Sequence, residues 1–288
     1  MCMNEYKESR WAREIISLQH EDGSWGYFHS LGVPTKINAI TTEQALRRLE
    51  ILGFTIDDVP IQKAVSYMRS CLSGESQIPD RREKLHDWDL FTSLMLSAWI
   101  RRFDPEDKLA GDAAKKWAEI ISSSFLDGTY RHDRYEKAYR QVFRKAPRGG
   151  RFVDFVHFYT VSLLCNYLDK AVEEAMFDYI LGHDTGIYYI YEKCLQYPPE
   201  AFRSKRASSY IGAIELLSEY KNPRCKAKLG FVAEWLNRNR EPDGSWDMGP
   251  DAKDGVYFPL SDSWRSKETR KKDCTYRILR LIGSLSGD

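Results

Sequence analysis

Asp22-Gly23-Ser24-Trp25 decides the fold, because the chain repeats it: Asp243-Gly244-Ser245-Trp246 stands near the far end and Asp127-Gly128-Thr129-Tyr130 in the middle. An Asp-Gly pair makes a turn for a local reason. The carboxylate accepts a bond from the backbone just ahead, and glycine takes a positive φ without steric penalty. An aromatic residue two positions later pins the turn to a helix. Weaker copies, Leu72-Ser73-Gly74-Glu75 and Asp184-Thr185-Gly186-Ile187-Tyr188, complete the series. The turn glycines fall at 23, 74, 128, 186 and 244, a spacing of 51 to 58 residues. A period of that length marks a repeat architecture, with room in each unit for two helices and two connections.

Outward from each turn, apolar spacing predicts the helices. The pairs are 6–18 with 41–52, 61–72 with 87–101, 111–125 with 152–168, 171–181 with 204–220, and 227–237 with 273–285. Within each pair the first helix is amphipathic and the second is apolar on most sides. Leu90, Phe91, Leu94, Met95, Leu96, Ala98, Trp99 and Ile100 leave the second helix of unit two little polar face. Helices covered on both sides fit an inner ring wrapped by an outer one. The last helix carries Ile278, Leu279, Leu281 and Ile282 rather than the polar face of a capping unit, which favours closure onto the first unit. The expected fold is all-α, an α/α toroid of about five helical hairpins in a single domain over 1–288.

Composition narrows the partners. In 288 residues, 43 Lys and Arg face 42 Asp and Glu, a net charge of +1, so no global field recruits nucleic acid or an anionic membrane. No apolar run is long enough for a transmembrane segment. The 8 Trp and 17 Tyr provide large rigid side chains to line a site as well as to fill a core. Six scattered cysteines without a CxxC pair, and an opening Met1-Cys2-Met3-Asn4 with no apolar signal region, predict a reduced, cytoplasmic protein. Nothing in the sequence fixes the oligomeric state.

Gln19-His20-Glu21-Asp22-Gly23-Ser24-Trp25 resembles the Gln-to-Trp repeat of squalene and oxidosqualene cyclases, a motif related to the repeats of protein prenyltransferase β subunits. The copy ending in Trp246 carries Asn239 where the glutamine is expected, and the copy at Asp127 has Tyr130 in place of Trp. The resemblance implies an α/α toroid whose central cavity opens where the inner helices begin. It also implies a bracing role for Gln19, Gly23, Trp25, Gly244 and Trp246. The family's catalytic signatures match less well. Class II terpene cyclases protonate substrate with an Asp-x-Asp-Asp run, in which crowding keeps one carboxyl protonated; Asp87-Trp88-Asp89-Leu90 is one carboxylate short. Prenyltransferases hold zinc with Asp, Cys and His, and Asp273-Cys274-Thr275-Tyr276 lacks both the Asp-x-Cys spacing and a following His.

Convergence of the inner helices on one mouth would bring their first residues together: Thr41 and Thr42, His86 with Asp87 and Asp89, Asp154 with His157 and Tyr159, Ser208 with Tyr210, and Asp273 with Tyr276. Five helix N-termini would present free N–H groups to an anionic group. The same acidic and hydroxyl residues also suit N-caps, which need no ligand. His86 and His157 are the less expected members, since imidazoles beside carboxylates suit zinc or acid-base work. No metal-ligand set is assigned, and zinc or magnesium stays open as a cofactor. The segment 131–151 sets eight Lys and Arg against two acids and places Tyr135, Tyr139 and Phe143 in one stripe, the pattern of a basic amphipathic helix. A second basic run, Arg265, Lys267, Arg270, Lys271 and Lys272, leads into the last inner helix.

The leading expectation is a protein similar to terpenoid cyclases and prenyltransferases that binds an apolar, isoprenoid-like ligand, phosphorylated or not, in a central cavity. Trp88, Phe91, Trp99, His157, Tyr159, Tyr210 and Tyr276 would line it, with Arg265 and Asp273 at the mouth. If the protein is catalytic, Asp87 or Asp89 would be the acid and aromatic faces would stabilise a developing cation. Two rival readings are a carbohydrate-active enzyme, a glycoside hydrolase or polysaccharide lyase with Asp89 and Asp154 as its carboxylates, and a non-catalytic interaction protein.

Overall fold

A computed structural model describes residues 6–29, 40–84, 86–149 and 154–286. These form α1 (Arg10–Ser17), α2 (Thr42–Ile51), α3 (Val59–Ser73), α4 (Trp88–Phe103), α5 (Lys108–Ser124) and α6 (His132–Phe143). The second half of the chain adds α7 (Phe158–Leu163), α8 (Lys170–Gly182), α9 (Lys205–Ser218), α10 (Pro223–Ala227), α11 (Gly230–Arg238) and α12 (Lys267–Ser286). Among the described residues there is no strand, only isolated bridges from His157 to Tyr188 and from Ile187 to Tyr191.

The turns are built alike. Gly23, Gly74, Gly128, Gly186 and Gly244 all have positive φ, between 61° and 95°. Oδ1 of Asp22, Asp127 and Asp243 accepts the amide two residues on, from Ser24, Thr129 and Ser245, at 2.8, 3.2 and 3.0 Å. Trp25 and Trp246 then reach inward, where each backbone amide donates to a threonine hydroxyl of the following inner helix, Thr42 or Thr275. Gln19 Nε2 donates to the Gly23 carbonyl at 2.9 Å, and Arg240 Nε donates to the Gly244 carbonyl at the same distance. Arg240, not Asn239, therefore stands in the glutamine's place; the Asn239 side chain donates to the Trp235 carbonyl within its own helix.

α2, α4, α7, α9 and α12, which all contribute side chains to one cavity, are the inner helices, and α1, α3, α5, α8 and α11, which precede them pairwise along the chain, the outer. The inner helices are tied in sequence. Trp99 of α4 donates to Glu43 of α2 at 3.1 Å, Arg101 of α4 to the Leu163 carbonyl of α7 at 3.2 Å, and Tyr220, just beyond α9, to the Val161 carbonyl of α7 at 2.7 Å. Arg277 of α12 grips Glu215 of α9 through two bonds of 2.7 and 2.5 Å. The ring closes where Tyr6 packs on Tyr276, with ring centroids 4.9 Å apart, and where the Arg10 amide donates to Asp262 at 2.6 Å.

Two elements differ from the sequence-based expectation, and the basic insert folds as the amphipathic helix that its spacing predicts. The helix expected over 152–168 is cut to α7, because Phe158 N bonds the Tyr188 carbonyl in an extended arrangement and Asn166 turns the chain with φ 57°. The basic insert folds as α6, and its aromatic stripe is core: Tyr139 and Phe143 pack on Trp117 of α5. Arg151 of that insert lies outside the described residues. Finally, α12 starts at Lys267, so Asp273 sits inside the helix and caps nothing.

Candidate functional site

The inner helices enclose a cavity of about 250 Å³. It lies along the later turns of α2, α4, α9 and α12, while α7 contributes its first residue. Arg47, Glu50 and Ile51 line it from α2, Trp99 and Arg102 from α4, Glu215, Leu216 and Ser218 from α9, and Tyr276, Arg277, Arg280 and Ser284 from α12. Phe158 of α7 and three loop residues, Ile190, Tyr257 and Leu260, complete it. Glu219, Arg280 and Ser284 are solvent-exposed, so the opening is at the C-terminal ends of the inner helices. The starts of α4 and α7 are instead covered by aromatic side chains: His86 stacks edge-on against Phe91 at 4.5 Å, Phe91 against Tyr159 at 5.6 Å, and His29 against Phe91 and Tyr189.

Arginines and glutamates pair inside this cavity. Arg102 Nη2 lies 2.6 Å from Glu50 Oε1 and 2.7 Å from Glu219 Oε1, so one nitrogen holds two carboxylates. Arg47 is less well satisfied. Its bonds are long, 3.4 Å to the Tyr257 hydroxyl and 3.6 Å to Glu43, and its guanidinium lies over the Phe158 ring at 4.5 Å. Beneath it the Glu43 Oε1 accepts from both Trp99 Nε1 and the Tyr159 hydroxyl. Arg277 lies 4.7 and 4.8 Å from the Tyr257 and Phe258 ring centroids and gives one edge of its fork to Glu215. Gly212 lets the Tyr257 ring lie on α9: a Cβ there would stand 2.8 Å from the ring.

The loop that carries Tyr257 is held by charged side chains. Asp254 Oδ1 accepts the amides of Val256, Tyr257 and Phe258, while Arg48 donates to the carbonyls of Val256 and Pro259. Burial pushes the Arg48 guanidinium down to about 10. Asp273 Oδ2 accepts from Leu260 N, Ser261 N, Ser261 Oγ and Trp264 Nε1, at 2.7 to 3.0 Å. Asp273 is thus a loop anchor.

The other sequence candidates are placed as follows. Asp87 caps α4 by accepting Leu90 N, and its second oxygen pairs with Lys145 at 2.6 Å. Burial opposes ionisation, but the Lys145 and Leu90 bonds outweigh it and hold the carboxyl below its usual range. Asp89 points outward, its side chain 73% exposed, and pairs with Arg82. His86, Trp88, Tyr159 and His157 gather through Phe91 into one aromatic cluster at the starts of α4 and α7. His157 is buried, which pushes its imidazole down to about 4, and its Nε2 meets Thr160 Oγ1 at 3.3 Å. Asp154 bonds Val156 N and His183 rather than approaching Asp89. The Tyr210 hydroxyl donates to the Leu195 carbonyl. Arg265 is exposed. Of the candidate ligand-binding residues, Tyr276 lines the central cavity, together with Trp99.

Sequence reading passed over Arg47, Glu50, Arg102, Glu215, Glu219 and Arg277. Their signal was present: a charged residue on a helix covered from both sides must be paired or face a cavity. Among the described residues, no group of three or more His, Cys, Asp or Glu is arranged to hold a metal ion. No helix among them is long and apolar enough to cross a membrane. Comparison with family models, curated proteins and solved structures finds no match for this chain.

Proposed function

We propose that this chain binds a small, apolar, isoprenoid-like molecule in its central cavity, as a toroid protein akin to terpenoid cyclases and prenyltransferases. The observation that carries this reading is the meeting of four aromatic walls, Trp99, Phe158, Tyr257 and Tyr276, from separate parts of the chain around one hollow. Aromatic faces supply apolar area at little entropic cost, and arginines beside them orient a polar end. At about 250 Å³ the hollow is smaller than the roughly 300–1,000 Å³ that encloses a drug-sized ligand, so the molecule is short.

The carbohydrate reading fits less well. Arg102 Nη2 lies within 2.7 Å of both Glu50 and Glu219, where a glycosidic oxygen would have to sit between acid and base. Asp87 and Asp89 are spent on Lys145 and Arg82, so no acid is assigned and the reading is one of binding.

Calorimetric titration with geraniol tests the reading, alongside native mass spectrometry for a co-purified apolar molecule. Ser284 is an exposed residue of the cavity rim. Ser284→Trp should fill the opening and abolish geraniol binding while leaving the melting temperature unchanged. Absence of binding by the unaltered protein to geraniol and to its acid and diphosphate analogues alike would overturn the reading, and so would binding that ignores Ser284→Trp.

A further inference from the structure

We infer that the cavity contains a subsite for a single negative charge, and that the molecule it takes is a short monocarboxylate rather than an alcohol or a diphosphate. The inference rests on the reading above that the cavity binds a ligand. Its basis is Arg277. Only 4% of that residue is exposed, Nε and Nη2 are committed to Glu215, and Nη1 is buried with no acceptor. A buried guanidinium edge without an acceptor is unfavourable, and a carboxylate fits such an edge through parallel N–H donors.

Two more arginines face the same space. Arg47 reaches the Tyr257 hydroxyl from one side while Arg277 lies over the face of that ring, so the phenol separates two guanidinium groups. Both of Arg47's polar contacts, 3.4 and 3.6 Å, are longer than a charge-assisted bond normally is, which leaves it donors to give. Arg280, one turn beyond Arg277 on α12, lies 5.7 Å from the Tyr276 ring and lines the rim.

Charge balance sets the valence. Four arginines, Arg47, Arg102, Arg277 and Arg280, line the cavity against three glutamates, Glu50, Glu215 and Glu219, leaving one positive charge over. Arg102, over the same Phe158 ring as Arg47, already serves both Glu50 and Glu219, so a second negative charge on the ligand would meet carboxylates. A monoanion satisfies Arg277 without that repulsion. Trp99, Phe158 and Tyr276 then cover its apolar part.

Geranate, geraniol and geranyl diphosphate share one apolar chain and separate the possibilities by calorimetry on the full chain. Geranate should bind at least about tenfold tighter than geraniol. Its affinity should fall as the pH drops through the acid's own protonation. Arg280→Ala, at an exposed position without an ion pair, should erode the preference, and Arg277→Lys, which keeps charge but loses the fork, should remove most of it. Circular dichroism checks that both variants fold; if Arg277→Lys does not, Arg280→Ala and the pH series on the unaltered protein decide. Equal affinity for geranate and geraniol would overturn the subsite and leave the cavity reading standing. Tighter binding of the diphosphate would overturn the single charge, and binding of none of the three would overturn both readings.

Discussion

Trp25 and Trp246, 221 positions apart in the chain, make the same bond: each indole Nε1 donates to the carbonyl ten residues earlier, Ile15 or Leu236, at 2.7 Å. Both rings are buried. Replacing either by Phe keeps an aromatic plug and removes the indole bond, while the amide of Leu18 or Asn239 still donates to the same carbonyl. Trp25→Phe and Trp246→Phe should each cost about 1 kcal/mol in urea denaturation. A value near zero for both would show that the rings act by volume alone.

Gly23 and Gly74 share a left-handed backbone but not their surroundings. A Cβ on Gly23 would lie 2.3 Å from the Lys63 carbonyl oxygen, whereas nothing stands within 4 Å of one on Gly74. Gly74→Ala should therefore lose only the conformational term, on the order of 1 kcal/mol. Gly23→Ala must also displace α3 and should lose several times as much. Equal midpoints in chemical denaturation would contradict the close approach.

Arg102 ties α4 to Glu50 of α2 and to Glu219 beyond α9. Arg102→Met would leave two carboxylates near each other without a cation and, since both reach solvent, should destabilise by about 1–3 kcal/mol. Restoring neutrality with Glu50→Gln and Glu219→Gln in the same chain should recover part of that loss. Failure of the triple variant to recover any would mean that packing of the arginine stem, not charge, is what matters.

His183 and Asp154 meet at 3.0 Å. The bond from Asp154 outweighs burial and raises the His183 imidazole above its usual value. Burial opposes ionisation of Asp154, but the bonds from His183 and Val156 hold the carboxyl below its usual range. The histidine's contribution is full below its unfolded value, roughly 6.5, and is lost as pH rises through its higher folded value. The aspartate's is full above roughly 3.9 and is lost as pH falls through its lower folded value. The pair thus stabilises most between about pH 4 and 6.5. His183→Gln should cost on the order of 1 kcal/mol at pH 5.5 and much less at pH 8.5, read from melting curves against pH. A pH-independent difference would remove the ion pair from the account.

The turn series made the architecture legible, because Asp-Gly geometry is local and the aromatic anchors repeat. The inner helices were legible for a similar reason: α4 is apolar nearly all round, and Thr41 accepts from Gln44 N at 3.3 Å while Gln44 accepts back from the Thr41 amide. The cavity was hidden. Its location depends on which end of the ring the connecting segments fold across, and side chains such as Tyr257 and Ile190 arrive there from loops without periodicity. Asp273 illustrates the limit. As text it reads as the first residue of a helix, and only tertiary contact shows it inside α12 holding four donors.

Closure of the ring has a mechanical consequence. Tyr6 against Tyr276, and the Arg10 amide on Asp262, join the first and last units without a covalent link, as in a split washer. Tyr276 belongs at once to that joint and to the hollow's wall. Parting that joint would therefore also shift one wall of the hollow, so the join between the chain's two ends and the shape of the bore are set by the same ring.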